Sequence, residues 1–203
     1  MIDINTAWDE LKERVAACKK CGLCETRNNT VFGDGNINSR VVIIGEAPGE
    51  EEDATGLPFV GKAGQLLTAI LEKGGSIPRK SVYIANVVKC RPPDNRNPNL
   101  QEVSACREYL DAQLLLLRPM IVVTLGNVPT QAILRTSTGI TSLRGRWFDW
   151  RGVKVFPMFH PSYLLRNDSR AKGSPKDLTY QDVKALKKKI DEIEIITRQN
   201  NKE

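Results

Sequence analysis

Residues 41–64 read VVIIGEAPGEEEDATGLPFVGKAG. Four aliphatic residues in a row, closed by a glycine, have the length and continuity of a strand buried on both faces. The next twenty residues are unlike a strand: between Gly45 and Gly64 lie five glycines, two prolines and five acidic side chains, a composition that makes turns. A helical spacing then begins at Leu66, Leu67, Ile70 and Leu71 and closes at Gly74-Gly75. The succession of strand, turn-rich loop and helix is the repeating unit of an α/β protein.

The unit recurs along the chain. Further apolar runs of strand length occupy 82–88, 121–125 and 153–159, each followed by a turn-rich segment. A helix is predicted from about 100 to 117, and the third run passes through Gly126-Asn127 into a helical segment at 128–134. The alternation predicts an α/β fold, a three-layer α/β/α sandwich around a central, mainly parallel four-stranded sheet. Ile4, Trp8, Leu11 and Val15 predict a short helix leading into a cysteine loop within residues 1–30. Leu178, Val183, Leu186, Ile190, Ile193 and Ile196 predict a last helix at 177–198 that packs back on the sheet. Residues 1–203 are therefore expected to form one domain. In such sheets ligands bind beyond the carboxyl ends of the strands, which brings 46–49, 89–97, Gly126-Asn127 and His160-Pro161-Ser162 to one edge.

Composition excludes several classes. A hydrophobic share of 40% with 27% charged residues excludes wholesale disorder. The start, Met1-Ile2-Asp3-Ile4-Asn5, has no basic residue and no apolar core of a secretory signal. Arg118 and Pro119 interrupt the longest apolar run, so no membrane partner is expected, and the cytoplasm is the expected location. The net charge of +6 is uneven: 144–189 holds twelve Lys/Arg against four Asp. That excess suits a polyanionic partner, although Lys184, Lys187, Lys188 and Lys189 alone read as a solvated helix face.

Five cysteines in a chain without an export signal point away from disulfides and towards metal. Cys18-x-x-Cys21 is a local chelate, and Cys90 and Cys106 follow the second strand with fifteen residues between them. Four thiolates complete either a tetrahedral zinc site or a cubane cluster, and spacing does not choose between them. Cys24 could replace Cys18 or Cys21. Cys106 could equally be a small buried hydrophobe.

Gly56-x-x-x-x-Gly61-Lys62 resembles a phosphate loop, but Ala63 supplies no hydroxyl for Mg²⁺ and the strand ends far upstream. The nucleotide-hydrolase reading fails on both counts. A concave site built from Glu46, Phe59, Asn86, Asn95 and the sole histidine, His160, is the alternative. Asn86 lies within an apolar strand pattern, where a buried amide needs partners.

These residues resemble the family 4 uracil-DNA glycosylases, the iron–sulfur branch of the uracil-DNA glycosylase superfamily. The resemblance runs from Cys18 to about Arg166 and rests on GEAPGEEED, GLPFVGKAGQLL, NVVKCRPPDNRNP, LGN and HPSYLLR, in that order. It implies a [4Fe-4S] cluster and selects Cys18, Cys21, Cys90 and Cys106 as its ligands. It also implies a DNA repair enzyme that flips uracil out of double- or single-stranded DNA and hydrolyses its N-glycosidic bond, leaving free uracil and an abasic site. A monomer is expected.

Carried over by position, Phe59 would stack on uracil, Asn86 would read its O4/N3 edge, and His160 would donate to O2 as charge builds on the leaving base. Glu46 and Ala47 would line the uracil pocket, with Glu46 or Asn95 positioning water. Ser162, Tyr163, Leu164, Leu165 and Arg166 match a loop that enters the DNA minor groove. Other branches carry an aspartate where Ala47 stands, so the resemblance implies a largely dissociative reaction dominated by leaving-group stabilisation. The acidic run 50–53 is the suspect for excluding thymine. A covalent uracil-binding branch needs a second histidine, which this chain lacks. The competing reading is a non-catalytic uracil-DNA-binding module with a structural cluster.

Overall fold

The computed structural model describes residues 3–200. Met1, Ile2 and residues 201–203, which the expected domain includes, lie outside the described residues. Helices and strands occur in the order α1 (Ile4–Ala16), β1 (Asp34–Gly35), β2 (Val41–Gly45), α2 (Glu50–Thr55), α3 (Lys62–Ala69), β3 (Tyr83–Asn86), α4 (Leu100–Leu117), β4 (Ile121–Leu125), α5 (Asn127–Leu134), α6 (Ile140–Leu143), β5 (Phe148–Trp150), β6 (Val153–Met158), α7 (Pro161–Leu165) and α8 (Pro175–Asn200).

The α/β class holds, but the sheet is larger than the four expected strands. It has six, in the order β1-β3-β2-β4-β6-β5. The inner four are the four apolar runs and pair in parallel. The outer two pair antiparallel, which makes the sheet mixed. Both additions escape sequence patterning for a physical reason. Strand β1 is two residues, Asp34 and Gly35, with no apolar character. Strand β5 is three residues, joined to β6 by the turn Arg151-Gly152, where both φ values are positive (51° and 81°), the type I′ geometry of a tight hairpin.

Alternating side chains of the inner strands feed two apolar clusters. Val42, Ile44, Ala85, Val122 and Val155 pack with Leu11 and Val15 of α1, Leu110 and Leu114 of α4 and Ile133 of α5. Val41, Ile43, Ile84, Val123 and Phe156 pack on the opposite face with Leu67 of α3 and Val183 and Leu186 of α8. Each fully buried aliphatic side chain contributes roughly 1.5–3 kcal/mol, and strands sandwiched this way read as continuous apolar runs. Helix α4 starts at a reciprocal cap: Glu102 N–H donates to Asn99 Oδ1 (2.9 Å) and Asn99 N–H donates to Glu102 Oε2 (2.8 Å). It stops where Arg118 turns left-handed (φ 47°) ahead of Pro119. Among the described residues no helix is long and apolar enough to cross a membrane.

Helix α8 departs from expectation at its far end. Val183 and Leu186 are buried, Ile190 and Ile193 are partly covered, and Ile196 is exposed. Its anchor is ionic as well as apolar. Arg144 donates from Nε to Asp182 Oδ2 (2.8 Å) and from Nη2 to the Leu178 carbonyl (3.1 Å), while Nη2 also pairs with Asp182 Oδ1. Asp182 is only 3% exposed. Removing the arginine strands a buried carboxylate, whose burial already pushes it above the usual carboxylate range. The expected cost of Arg144→Ala is about 3 kcal/mol in denaturant unfolding; a loss below about 1 kcal/mol would show that α8 is held by apolar packing alone.

Candidate active site

Where β2, β3, β4 and β6 end, the chain leaves a cleft of about 770 Å³ lined by Glu46, Ala47, Phe59, Asn86, Asn95 and His160. All six sequence-selected residues of the pocket are therefore brought together. The segment expected as a loop is the short helix α7, and its Ser162 and Tyr163, with Arg166 just after it, also line the cleft. Leu164 and Leu165 do not, and they differ from each other: Leu164 is 2% exposed and Leu165 47%. Leu164 belongs to the core, which leaves Leu165 as the apolar side chain available to a partner.

Strand β2 delivers the site by ending in a residue without a side chain. A Cβ on Gly45 would lie 2.4 Å from Asn86 Oδ1 and 2.5 Å from Phe59 Cζ. The Phe59 ring and the Asn86 amide thus converge over bare backbone. Asn86 is 1% exposed, and its Oδ1 has no hydrogen-bond partner. A buried amide oxygen left unpaired is costly and marks the place where a ligand group belongs.

His160 is half-buried, with its ring centroid 5.7 Å from that of Phe59. Its Nδ1 accepts the Ser162 backbone N–H (3.1 Å) and lies 2.8 Å from Ser162 Oγ. A backbone amide can only donate, so Nδ1 is the bare nitrogen and Nε2 carries the hydrogen. Burial, reinforced by Arg166, lowers the imidazole from 6.5 to about 4. The histidine is thus a neutral donor at physiological pH. Burial raises the Glu46 carboxyl above its ordinary range. Asn95 sits exposed at the rim, where its Oδ1 accepts from Arg91 Nε (2.9 Å).

The acidic run divides. Glu50, Glu51 and Glu52 line the cleft. Asp53 turns away and is buried, accepting from Asn28 N (3.0 Å), Asn28 Nδ2 (2.7 Å) and Asn29 N (3.3 Å). It ties α2 to the segment after the cysteine loop. Nothing in the sequence distinguishes it from its three acidic neighbours.

Cys18, Cys21, Cys24, Cys90 and Cys106 line a second hollow, and none of the five is in a disulfide. Arg27 Nη1 donates to Cys90 Sγ (3.2 Å), and the Lys89 backbone N–H donates to Cys106 Sγ (3.3 Å). Among the described residues no three His, Cys, Asp or Glu side chains converge closely enough to hold a single metal ion. Soft sulfurs lining one hollow are the donor type that zinc and iron–sulfur clusters both take. Cys24 shares the hollow, so position alone leaves five sulfurs for four places. Between the two sites lies Lys89, a residue sequence reading missed. It is fully buried, and its Nζ donates to the Asn86 carbonyl (2.9 Å) and to Gln113 Oε1 (2.6 Å). Its signal was a lysine between Val88 and Cys90 inside an apolar run.

The chain is similar in sequence to known uracil-DNA glycosylases. A sequence profile of the Uracil DNA glycosylase superfamily matches residues 32–184. The chain is 50% identical over 161 residues to the type-4 uracil-DNA glycosylase of Thermotoga maritima, covering 78% of this chain and 83% of that protein. It is 42% identical over 177 residues to the type-4 enzyme of Sulfurisphaera tokodaii, covering 83% and 80%. A type-5 uracil-DNA glycosylase of Pyrobaculum aerophilum is 34% identical over 195 residues, covering 80% and 86%.

The state of His160 is directly observable because the chain has a single histidine. Imidazole ¹⁵N NMR is expected to show an unprotonated Nδ1 and a protonated Nε2, with no titration from pH 8 down to about 5. The unfolded chain takes up this proton near pH 6.5 and the folded chain only near 4. The histidine therefore withdraws stability as pH falls between those values, and the loss is complete below the lower one. Titration near pH 6.5 in the folded protein would contradict the assignment.

Proposed function

The chain belongs to the uracil-DNA glycosylase superfamily and to its type-4 group, and from that premise we propose that it removes uracil from DNA by hydrolysing the N-glycosidic bond. The observation that carries the reading is the buried, unpartnered Oδ1 of Asn86, a residue that lines a cleft shared with an aromatic ring and a neutral imidazole donor. Uracil presents an N3–H donor between two carbonyl acceptors. An asparagine amide can accept from N3–H and donate to O4 at once, and cytosine, which lacks N3–H, would leave Oδ1 unpaired.

In the proposed reaction the C1′–N1 bond breaks with its electron pair moving onto uracil. Nε2–H of His160 donates to O2, where negative charge collects, and a donor already neutral gives up no charge interaction on burial. Water adds its oxygen to C1′, and the proton it loses ends on the departing uracil anion, which leaves as neutral uracil. Glu46, whose carboxylate is less acidic than usual, is better placed than Asn95 to orient that water, because the Asn95 carbonyl oxygen is engaged by Arg91. The products are free uracil and an abasic site. Leu165, exposed beside the cleft, would fill the gap that the flipped nucleotide leaves in the stack.

Cys18, Cys21, Cys90 and Cys106 would hold a [4Fe-4S] cluster. When bound, that group supplies metal–thiolate bonds that join the cysteine loop, the segment after β3 and helix α4. Its place in this reading is structural, and the chain works as one domain and one copy.

Single-turnover cleavage of a uracil-containing oligonucleotide, developed with alkali, tests the assignment. Wild-type protein is expected to break the strand, and His160→Ala to slow base loss by about 10²-fold or more. A shifted but unbroken strand would mean binding without catalysis. A loss below tenfold for His160→Ala, with Glu46→Ala inactive, would transfer the dominant role from leaving-group stabilisation to water activation.

A further inference from the structure

Phe59 has a backbone no sequence pattern announces. Its φ is +54°, in the left-handed region that a bulky aromatic residue enters only under constraint. Two peptide groups set that conformation, the one before the residue and the one after, and a charged side chain holds each. The carbonyl of Pro58 accepts from Arg79 Nη2 (2.8 Å), while Arg79 Nη1 donates to Thr68 Oγ1 (3.0 Å) on α3. On the other side, Val60 N–H and Gly61 N–H both donate to Glu52 Oε1 (2.9 Å each), and Glu52 Oε2 accepts from Gly49 N–H (3.1 Å).

The surroundings leave this backbone little alternative. A Cβ on Gly64 would lie 1.9 Å from the Phe59 carbonyl oxygen, so α3 starts in direct contact with the bent peptide. The ring is 7% exposed and lies over Gly45. Were the peptides free to rotate, relief of the left-handed strain would swing the ring off that seat.

We infer that Glu52 and Arg79 are positioning residues for base recognition: a clamp of opposite charges that fixes the two peptides flanking Phe59 and keeps its stacking face preformed before uracil arrives. The inference rests on the reading of the cleft as a uracil site. Neither residue has to touch the base for the clamp to act. Arg79 does not line the cleft, so its substitution reports on the clamp without altering the pocket wall, whereas Glu52 lines it and is the less clean probe.

The test uses the iron–sulfur-loaded protein and free uracil as a competitive inhibitor of oligonucleotide cleavage, with wild type, Arg79→Lys, Arg79→Gln, Arg79→Met, Phe59→Ala and the double variant Phe59→Ala/Arg79→Met. Loss of one charge-assisted hydrogen bond is expected to raise Ki for uracil and KM together by about tenfold in Arg79→Met, with kcat changed less than about threefold. Arg79→Gln should fall between, and Arg79→Lys should recover most of the binding. In the Phe59→Ala background the Arg79 substitution should add nothing, because the platform it positions is gone. Wild-type uracil affinity in Arg79→Met, or effects that multiply in the double variant, would overturn the clamp. A wild-type protein that neither cleaves the oligonucleotide nor binds uracil would instead sink the functional reading on which the clamp rests.

Discussion

The site depends on a missing side chain. Strand β2 ends at Gly45, and any Cβ there would collide with both the Asn86 amide and the Phe59 ring. Because the slot is floored by backbone, an aromatic plane and a hydrogen-bonding edge can approach within one base-sized space. Parallel pairing of β2 with β3 sets Gly45 opposite Asn86, so the register of the sheet and the chemistry of the pocket are one constraint. His160 then enters from the end of β6, where the Ser162 backbone N–H fixes its tautomer. Recognition and catalysis both come from elements whose ends the sheet has already aligned.

The cysteine hollow and the cleft are separate in space but share their supports. Lys89 sits one residue before Cys90, yet its ammonium reaches the Asn86 carbonyl. Burial lowers that ammonium to about 8, and Gln113, itself bonded to the Phe32 carbonyl, satisfies it further. Arg27 contacts Cys90, and the next two residues donate to Asp53 of α2. Two polar routes thus join the cysteine loops to the walls of the cleft. In the proposed reading, a cluster held by these cysteines would brace the walls of the cleft from outside it.

Much of this was legible in the sequence, and the limits have physical causes. The inner strands and α4 were readable because burial on both faces leaves uninterrupted apolar runs, and Asn99 and Pro119 punctuate the helix. The edge strands were not, because two or three residues carry no periodicity. The pocket residues were accessible as polar or aromatic side chains at strand ends, helped by ordered family motifs. Asp53, Glu52, Arg79 and Lys89 were not, since their roles are set by which groups they meet across 8 to 25 residues of chain. Leu164 and Leu165 are adjacent and chemically alike; only the turn of α7 decides that one is core and the other exposed.

The central claim is that a neutral imidazole, an unpartnered amide and a clamped phenyl ring jointly define a seat for extruded uracil. A crystal structure of the protein with free uracil tests it most directly. The account predicts the base stacked on Phe59, its N3–H and O4 facing the Asn86 amide, and its O2 about 3 Å from His160 Nε2. Uracil bound elsewhere in the cleft, or seated with O2 turned away from the imidazole, would contradict it.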